Sequence, residues 1–162
     1  MKLYVRDNFF NSGKTEILDE RNHAVGVVDL RSAFGSALDV YGLQGRLLYG
    51  GKFPMLSNKW IVSDAGGDEC GMLRYRLSFL SKRYEYESYG RGVYEITAEA
   101  FSRDYEIRNS QGALAATFRK VDGWFEAAVY CLENLTDEVS SYEWIAVILG
   151  MNEIQKRHRS SG

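Results

Sequence analysis

Along most of the chain, apolar and polar residues alternate with a period of two. Leu73, Tyr75, Leu77 and Phe79 alternate with Arg74, Arg76 and Ser78, the pattern of a strand with one face on a core and one in water. Tyr84 and Tyr86 alternate with Glu85 and Glu87, and Leu114, Ala116 and Phe118 with Ala115, Thr117 and Arg119. Turn chemistry lies between these runs: Asp64-Ala65-Gly66-Gly67-Asp68, Gly90-Arg91-Gly92, Asn109-Ser110-Gln111-Gly112 and Asp122-Gly123.

A coarser repeat overlies the alternation. Trp60 to Asp64, a glycine turn and a strand ending in basic residues recur as Tyr105 to Asn109, a glycine turn and Ala113 to Lys120. Val40 to Gly45 leading into Arg46 to Tyr49 is a third copy. Ile17 to Asn22 before Ala24 to Leu30 is a fourth, with Asn22 or His23 where glycine would sit. Each copy reads as a hairpin, and with the connecting runs the chain predicts about a dozen short antiparallel strands, a barrel or sandwich count.

The C-terminus breaks the period. The segment from about Asp137 to Arg157 predicts a helix, with Thr136 as its cap, Asp137 and Glu138 at the positive end, and Lys156, Arg157 and Arg159 at the negative end. Trp144, Ile145, Ala146, Val147, Ile148, Leu149, Met151 and Ile154 cover nearly every direction around its axis. A helix apolar on all sides must be buried on all sides. A barrel of about twelve strands is too wide for its own side chains to fill, because filling stops near eight. The expected fold is therefore mainly β, a closed antiparallel barrel of about twelve strands wrapped around an apolar C-terminal helix, with residues 1–162 as one domain and a basic tail over 156–162.

Bulk composition narrows function mostly by exclusion. At 45% hydrophobic and 26% charged, the 162 residues describe an ordinary folded domain. A net charge of −2 offers no global field toward nucleic acid. Met1 to Asp7 becomes charged before an apolar core could form, so no secretory leader is expected, and the longest apolar run, Trp144 to Leu149, is far short of the roughly 20 residues of a bilayer span. The expected location is the cytoplasm, with Cys70 and Cys131 reduced.

Candidate chemistry is sparse. His23 and His158 have no nucleophile set beside them, so the chain is expected to be non-catalytic and to use no cofactor. Asp64, Asp68 and Glu69 lack the spacing and flanking helices of a calcium hand and read as a solvated turn. Gly50-Gly51 and Gly66-Gly67 read as bends, with no P-loop lysine. The candidate anion site is basic: Arg74, Arg76, Lys82, Arg83, Arg119 and Lys120 converge into one patch if the repeats pack as neighbours. The alternative is an ordinary charged exterior balanced by Glu85, Glu87 and Glu106.

The repeated hairpins, Trp60-Ile-Val-Ser-Asp64 to Gly71-Met-Leu-Arg-Tyr-Arg76 and Tyr105-Glu-Ile-Arg-Asn109 through Gly112 to Phe118-Arg-Lys120, together with the apolar helix after Trp124 to Leu132, resemble the tubby C-terminal-like superfamily. The resemblance spans the whole chain and points most to the LURP-one-related branch, with a further likeness to phospholipid scramblases. It implies a non-catalytic module recognising anionic phospholipid headgroups or phosphate on the barrel exterior, peripheral to a membrane. An alternative is a protein-interaction domain working through an exposed aromatic surface such as Tyr86, Tyr89 and Tyr94, or through a dimer interface.

Overall fold

The computed structural model describes residues 1–31, 36–99, 102–122 and 128–160. Gly123, Trp124 and the last two residues of the expected basic tail lie outside them. Twelve strands occur among the described residues: β1 Lys2–Arg6, β2 Gly13–Leu18, β3 Ala24–Arg31, β4 Ala37–Tyr41, β5 Leu47–Lys52, β6 Trp60–Asp64, β7 Glu69–Arg76, β8 Ser81–Ser88, β9 Gly92–Glu99, β10 Tyr105–Asn109, β11 Leu114–Val121 and β12 Val129–Asn134. One α-helix follows, α1 Ser141–Ser160. Each strand pairs antiparallel with its sequence neighbours, and β1 pairs with β12 from Lys2↔Glu133 to Arg6↔Val129. Closure removes the unpaired edges that an open sheet would expose.

Strand alternation sorts the barrel wall. Val28, Leu30, Leu38, Val40, Leu73, Tyr84, Ile96 and Phe118 are buried inside, while their chain neighbours face out. The predicted turns at 64–68, 90–92 and 109–112 are real hairpins. Asp64 Oδ1 accepts hydrogen bonds from the backbone N–H groups of Gly66 (2.9 Å) and Asp68 (3.0 Å), so the acidic loop is a self-bonded turn. Asn22 sits at φ 62°, the left-handed position that asparagine tolerates and glycine fills in the other copies.

Helix α1 runs through the barrel, and every residue from Glu143 to Ile154 is buried. With side chains a helix is about 10–12 Å across, which fills the lumen that twelve strands leave open. Trp60 from β6 is wedged against it, donating Nε1–H to the Ala146 carbonyl at 3.2 Å. The wedge needs glycine on both sides. A Cβ at Gly51 would lie 2.5 Å from the Trp60 ring, and one at Gly150 would also fall inside contact distance of the indole.

Three local expectations are corrected. The helix starts at Ser141, not Asp137; Ser140 caps it, its Oγ accepting the Tyr142 N–H at 3.3 Å, while Thr136 Oγ1 closes a turn on Glu138. The alternation through Leu73 and Tyr75 stops at Arg76, and Leu77 and Phe79 belong to the β7–β8 loop, exposed rather than inward. Tyr86 and Tyr94 cannot form an exposed aromatic surface, because both point into the core and pack edge-on against Trp144; Tyr89 alone of the three is exposed.

Antiparallel order fixes which loops share an end. The β1–β2, β5–β6 and β7–β8 loops and residues 102–104 gather at one mouth with the C-terminal turn of α1. The β2–β3, β4–β5, β6–β7 and β8–β9 turns lie at the other, where α1 enters.

Candidate functional site: the helix-exit mouth

The six basic residues singled out from the sequence do not form one cluster. Arg74 and Arg76 on β7 both bind Glu85 across the β7–β8 ladder, Arg76 Nη2 at 2.9 Å. These bonds hold the Glu85 carboxyl below the usual carboxylate range. Arg83 binds Glu95 on β9, and Arg119 on β11 binds Glu106 at 2.9 Å, which also receives Arg108 at 3.0 Å. The exterior of β7 to β11 is thus an ion-pair lattice in which adjacent strands supply opposite charges. Such a face is close to neutral at short range and offers an anion little net attraction.

Lys82 behaves differently. It follows the β7–β8 loop and donates Nζ–H to the Ser102 carbonyl at 2.7 Å, with no carboxylate partner among the described residues. Burial, and then the neighbouring cations Arg103 and Arg159, lower its pKa. Lys82 on β8, Arg103 in the 102–104 segment and Arg159 at the end of α1 thus share one mouth. Lys120 lies near the end of β11, exposed, with its backbone N–H on Asp104 Oδ1 at 2.9 Å.

The same mouth holds its cations largely through carbonyls and rings. Arg103 sits 4.2 Å over the Phe10 ring and pairs with Asp7 at 2.9 Å. Arg157 sits 3.6 Å over Phe53 and donates Nη1–H to the Ser57 carbonyl at 2.8 Å. His158 packs edge-on against Tyr75 at 4.8 Å. Lys156 bridges the Phe10 carbonyl (3.1 Å) and Glu153 (3.1 Å). Sequence reading found Lys82 and the basic helix end separately, but not Arg103, and had no signal that these distant positions meet.

The opposite mouth holds a buried polar network. Arg91, at the β8–β9 turn, donates Nη1–H and Nη2–H to Glu143 Oε2 and Oε1 at 2.8 and 2.7 Å. Tyr86 donates to the same carboxylate at 2.5 Å, and Cys70 Sγ lies 4.0 Å from it. Burial and the Glu143 charge push the Cys70 thiol up to about 11 and raise the Tyr86 phenol as well. Burial works against the Arg91 charge, but the bonds to Glu143 outweigh it and its pKa is raised. The Glu143 carboxylate accepts from Arg91 on both oxygens and from Tyr86 on one, so this network is a structural clasp on the helix entrance. Cys131, on β12, lies away from Cys70, with β8 to β11 between them.

Among the described residues no helix is long and apolar enough to cross a membrane. No protein-family model matches the chain, and no curated protein matches it. Among solved structures, the barrel is similar to the X-ray structure of a protein from Arabidopsis thaliana, AT5G01750. The TM-score is 0.62 at 14% sequence identity, over 96% of this chain and 91% of that one. At that identity the likeness establishes one thing: the two chains share a fold.

Proposed function

We propose that this chain is a LURP-one-related domain of the tubby-like kind, acting as a non-catalytic module that binds anionic phospholipid headgroups through the helix-exit mouth. The observation that carries this reading is that Lys82, bonded to the Ser102 carbonyl at 2.7 Å and with no carboxylate partner among the described residues, shares this mouth with Arg103 and Arg159; burial first, and those two cations second, lower its pKa. Like charges held together are relieved by an anion, and guanidinium groups accept phosphate in two-pronged fashion. The helix fills the lumen where a barrel carrier would hold a ligand, which favours an external site. The family part of the reading is supported by the shared fold and by the repeated hairpins. A cytoplasmic, peripheral location follows from it, since anionic lipid faces the cytoplasm.

The ion-pair lattice argues against the strand faces as the site, and the inward Tyr86 and Tyr94 argue against an aromatic protein-docking surface. The test is co-sedimentation with phosphatidylcholine vesicles, with and without phosphatidylserine, at low and high salt. Binding should require the anionic lipid and weaken with salt. A Lys82→Glu, Arg159→Glu variant should lose it. No anion-dependent binding at low salt would overturn the reading.

A further inference from the structure

We infer that the β5–β6 and β7–β8 loops are membrane-inserting fingers, Met55, Leu56, Leu77, Phe79 and Leu80 entering the interfacial layer of an anionic bilayer while the cations beside them hold the headgroups. This rests on the lipid-surface reading above, and adds to it an apolar component and a docking pose.

The five side chains are almost wholly in water: Met55 is 91% exposed, Leu56 102%, Leu77 85%, Phe79 99% and Leu80 88%. Scattered exposed apolar residues are ordinary, but five large ones on two loops of one mouth are not. Leu56 adds a second observation. It stands at φ 57°, where a leucine is strained by about 1–2 kcal/mol and glycine or asparagine would not be. A strained residue presented fully to solvent gains nothing inside this fold, and such strain is typical of functional positions.

Both loops are shaped rather than slack. Arg157 clasps the first by the Ser57 carbonyl and the Phe53 ring, and the Ser57 N–H closes a turn on Pro54 at 3.2 Å. Ser78 and Ser81 hydroxyls meet at 3.1 Å across the base of the second. That second stretch reads Arg76, five residues with three large apolar side chains, then Lys82 and Arg83: an apolar tip between cations.

The charge distribution selects the occupant. At the mouth of the tips Lys82, Arg103, Lys120, Lys156, Arg157 and Arg159 outnumber Asp7, Asp104 and Glu153, whereas at the opposite mouth Asp19, Glu20, Asp64, Asp68 and Glu69 outnumber Arg21, Arg46 and Arg91. An anionic surface attracts the first end and repels the second, so the barrel stands with its axis toward the membrane. A second copy docking the same mouth would bring cations against cations. Separate protruding tips also suit a fluid that closes around each one, where a protein partner would need a preformed pocket for each.

The experiment is flotation with phosphatidylcholine–phosphatidylserine vesicles, comparing the natural chain with Phe79→Ser and with Leu77→Ser, Phe79→Ser, Leu80→Ser. Thermal melting confirms that the variants fold, since the changed side chains touch solvent. Binding of the natural chain should persist in part at high salt. Affinity should fall roughly tenfold for Phe79→Ser and on the order of a hundredfold for the triple variant, whose residual binding should vanish with salt. Equal binding by the triple and natural chains, with loss only in Lys82→Glu, Arg159→Glu, would overturn the inference and leave the lipid reading standing. No binding by any chain to any vesicle would overturn both. A dimer in sedimentation that the triple variant breaks, without vesicle binding, would assign the tips to self-association and overturn the inference too.

Discussion

Arg91 and Glu143 form a two-pronged ion pair, 2.7 and 2.8 Å, that ties the β8–β9 turn to the first turn of the buried helix. The Glu143 side chain is wholly buried, and the Arg91 side chain is 30% exposed. Removing one partner of such a pair leaves a charge without compensation, which costs about 3–5 kcal/mol. Arg91→Ala should lie near the low end, about 3 kcal/mol in urea unfolding, because water reaches the guanidinium side. A loss below about 1 kcal/mol, the range of a surface pair, would show that the clasp is not what holds the helix entrance.

Gly150 and Trp60 predict a reversed sign. Glycine to alanine inside a helix ordinarily stabilises by about 1 kcal/mol. Here the indole occupies the space a methyl would take, so Gly150→Ala should destabilise by about 1–3 kcal/mol through overpacking. In a Trp60→Phe background the penalty of Gly150→Ala should shrink; a constant penalty in both backgrounds would exclude the indole as its cause.

Stability should fall on the alkaline side, with Cys70 acting from the onset together with Cys131, whose thiol burial also pushes up. The folded pKa of Cys70 is raised from 9.0 to about 11, by burial first and the Glu143 charge second. The fold therefore keeps the neutral thiol while the unfolded chain ionises. That stabilisation is complete below pH 9 and disappears as pH rises to about 11. Tyr94, pushed up to about 12 by burial and by its bond to Glu138, acts in the same direction at higher pH. Urea midpoints measured from pH 8 upward should decline, and Cys70→Ala should delay the first part of the decline. Ellman's reagent at pH 8 should react slowly with Cys70 in the folded chain and quickly in urea.

The exterior lattice should be nearly silent. Arg74→Ala or Arg119→Ala removes one arm of a pair that water still reaches and should change stability by less than about 1 kcal/mol. Vesicle binding by these variants should match the natural chain while Lys82→Glu, Arg159→Glu fails. A large loss of binding in Arg74→Ala would move the site back to the strand faces.

The architecture was legible in the chain because its causes are local and periodic. Period-two runs define which side of each strand faces the core, Asp, Asn and Gly at fixed offsets make the hairpins, and a helix apolar all round requires an enclosing wall. The functional surface was not legible, for equally physical reasons. Leu77 and Phe79 continue the alternation of β7 perfectly, so only the hairpin geometry reveals that the strand has ended at Arg76. Tyr86 and Tyr94 carry hydroxyls that look like surface groups until Glu143 and Glu138 are found to accept their bonds.

By itself, then, the sequence determined an antiparallel barrel closed around a hydrophobic helix, since burial periodicity is written residue by residue. Only the tertiary structure decided which charges cancel and which accumulate. Arg74 and Arg83 are neutralised by glutamates on neighbouring strands, whereas Lys82, with no carboxylate partner among the described residues, is brought to one mouth with Arg103 and Arg159 beside the apolar tips. Electrostatic pairing depends on distance in space, and antiparallel closure of the barrel is what sets that distance.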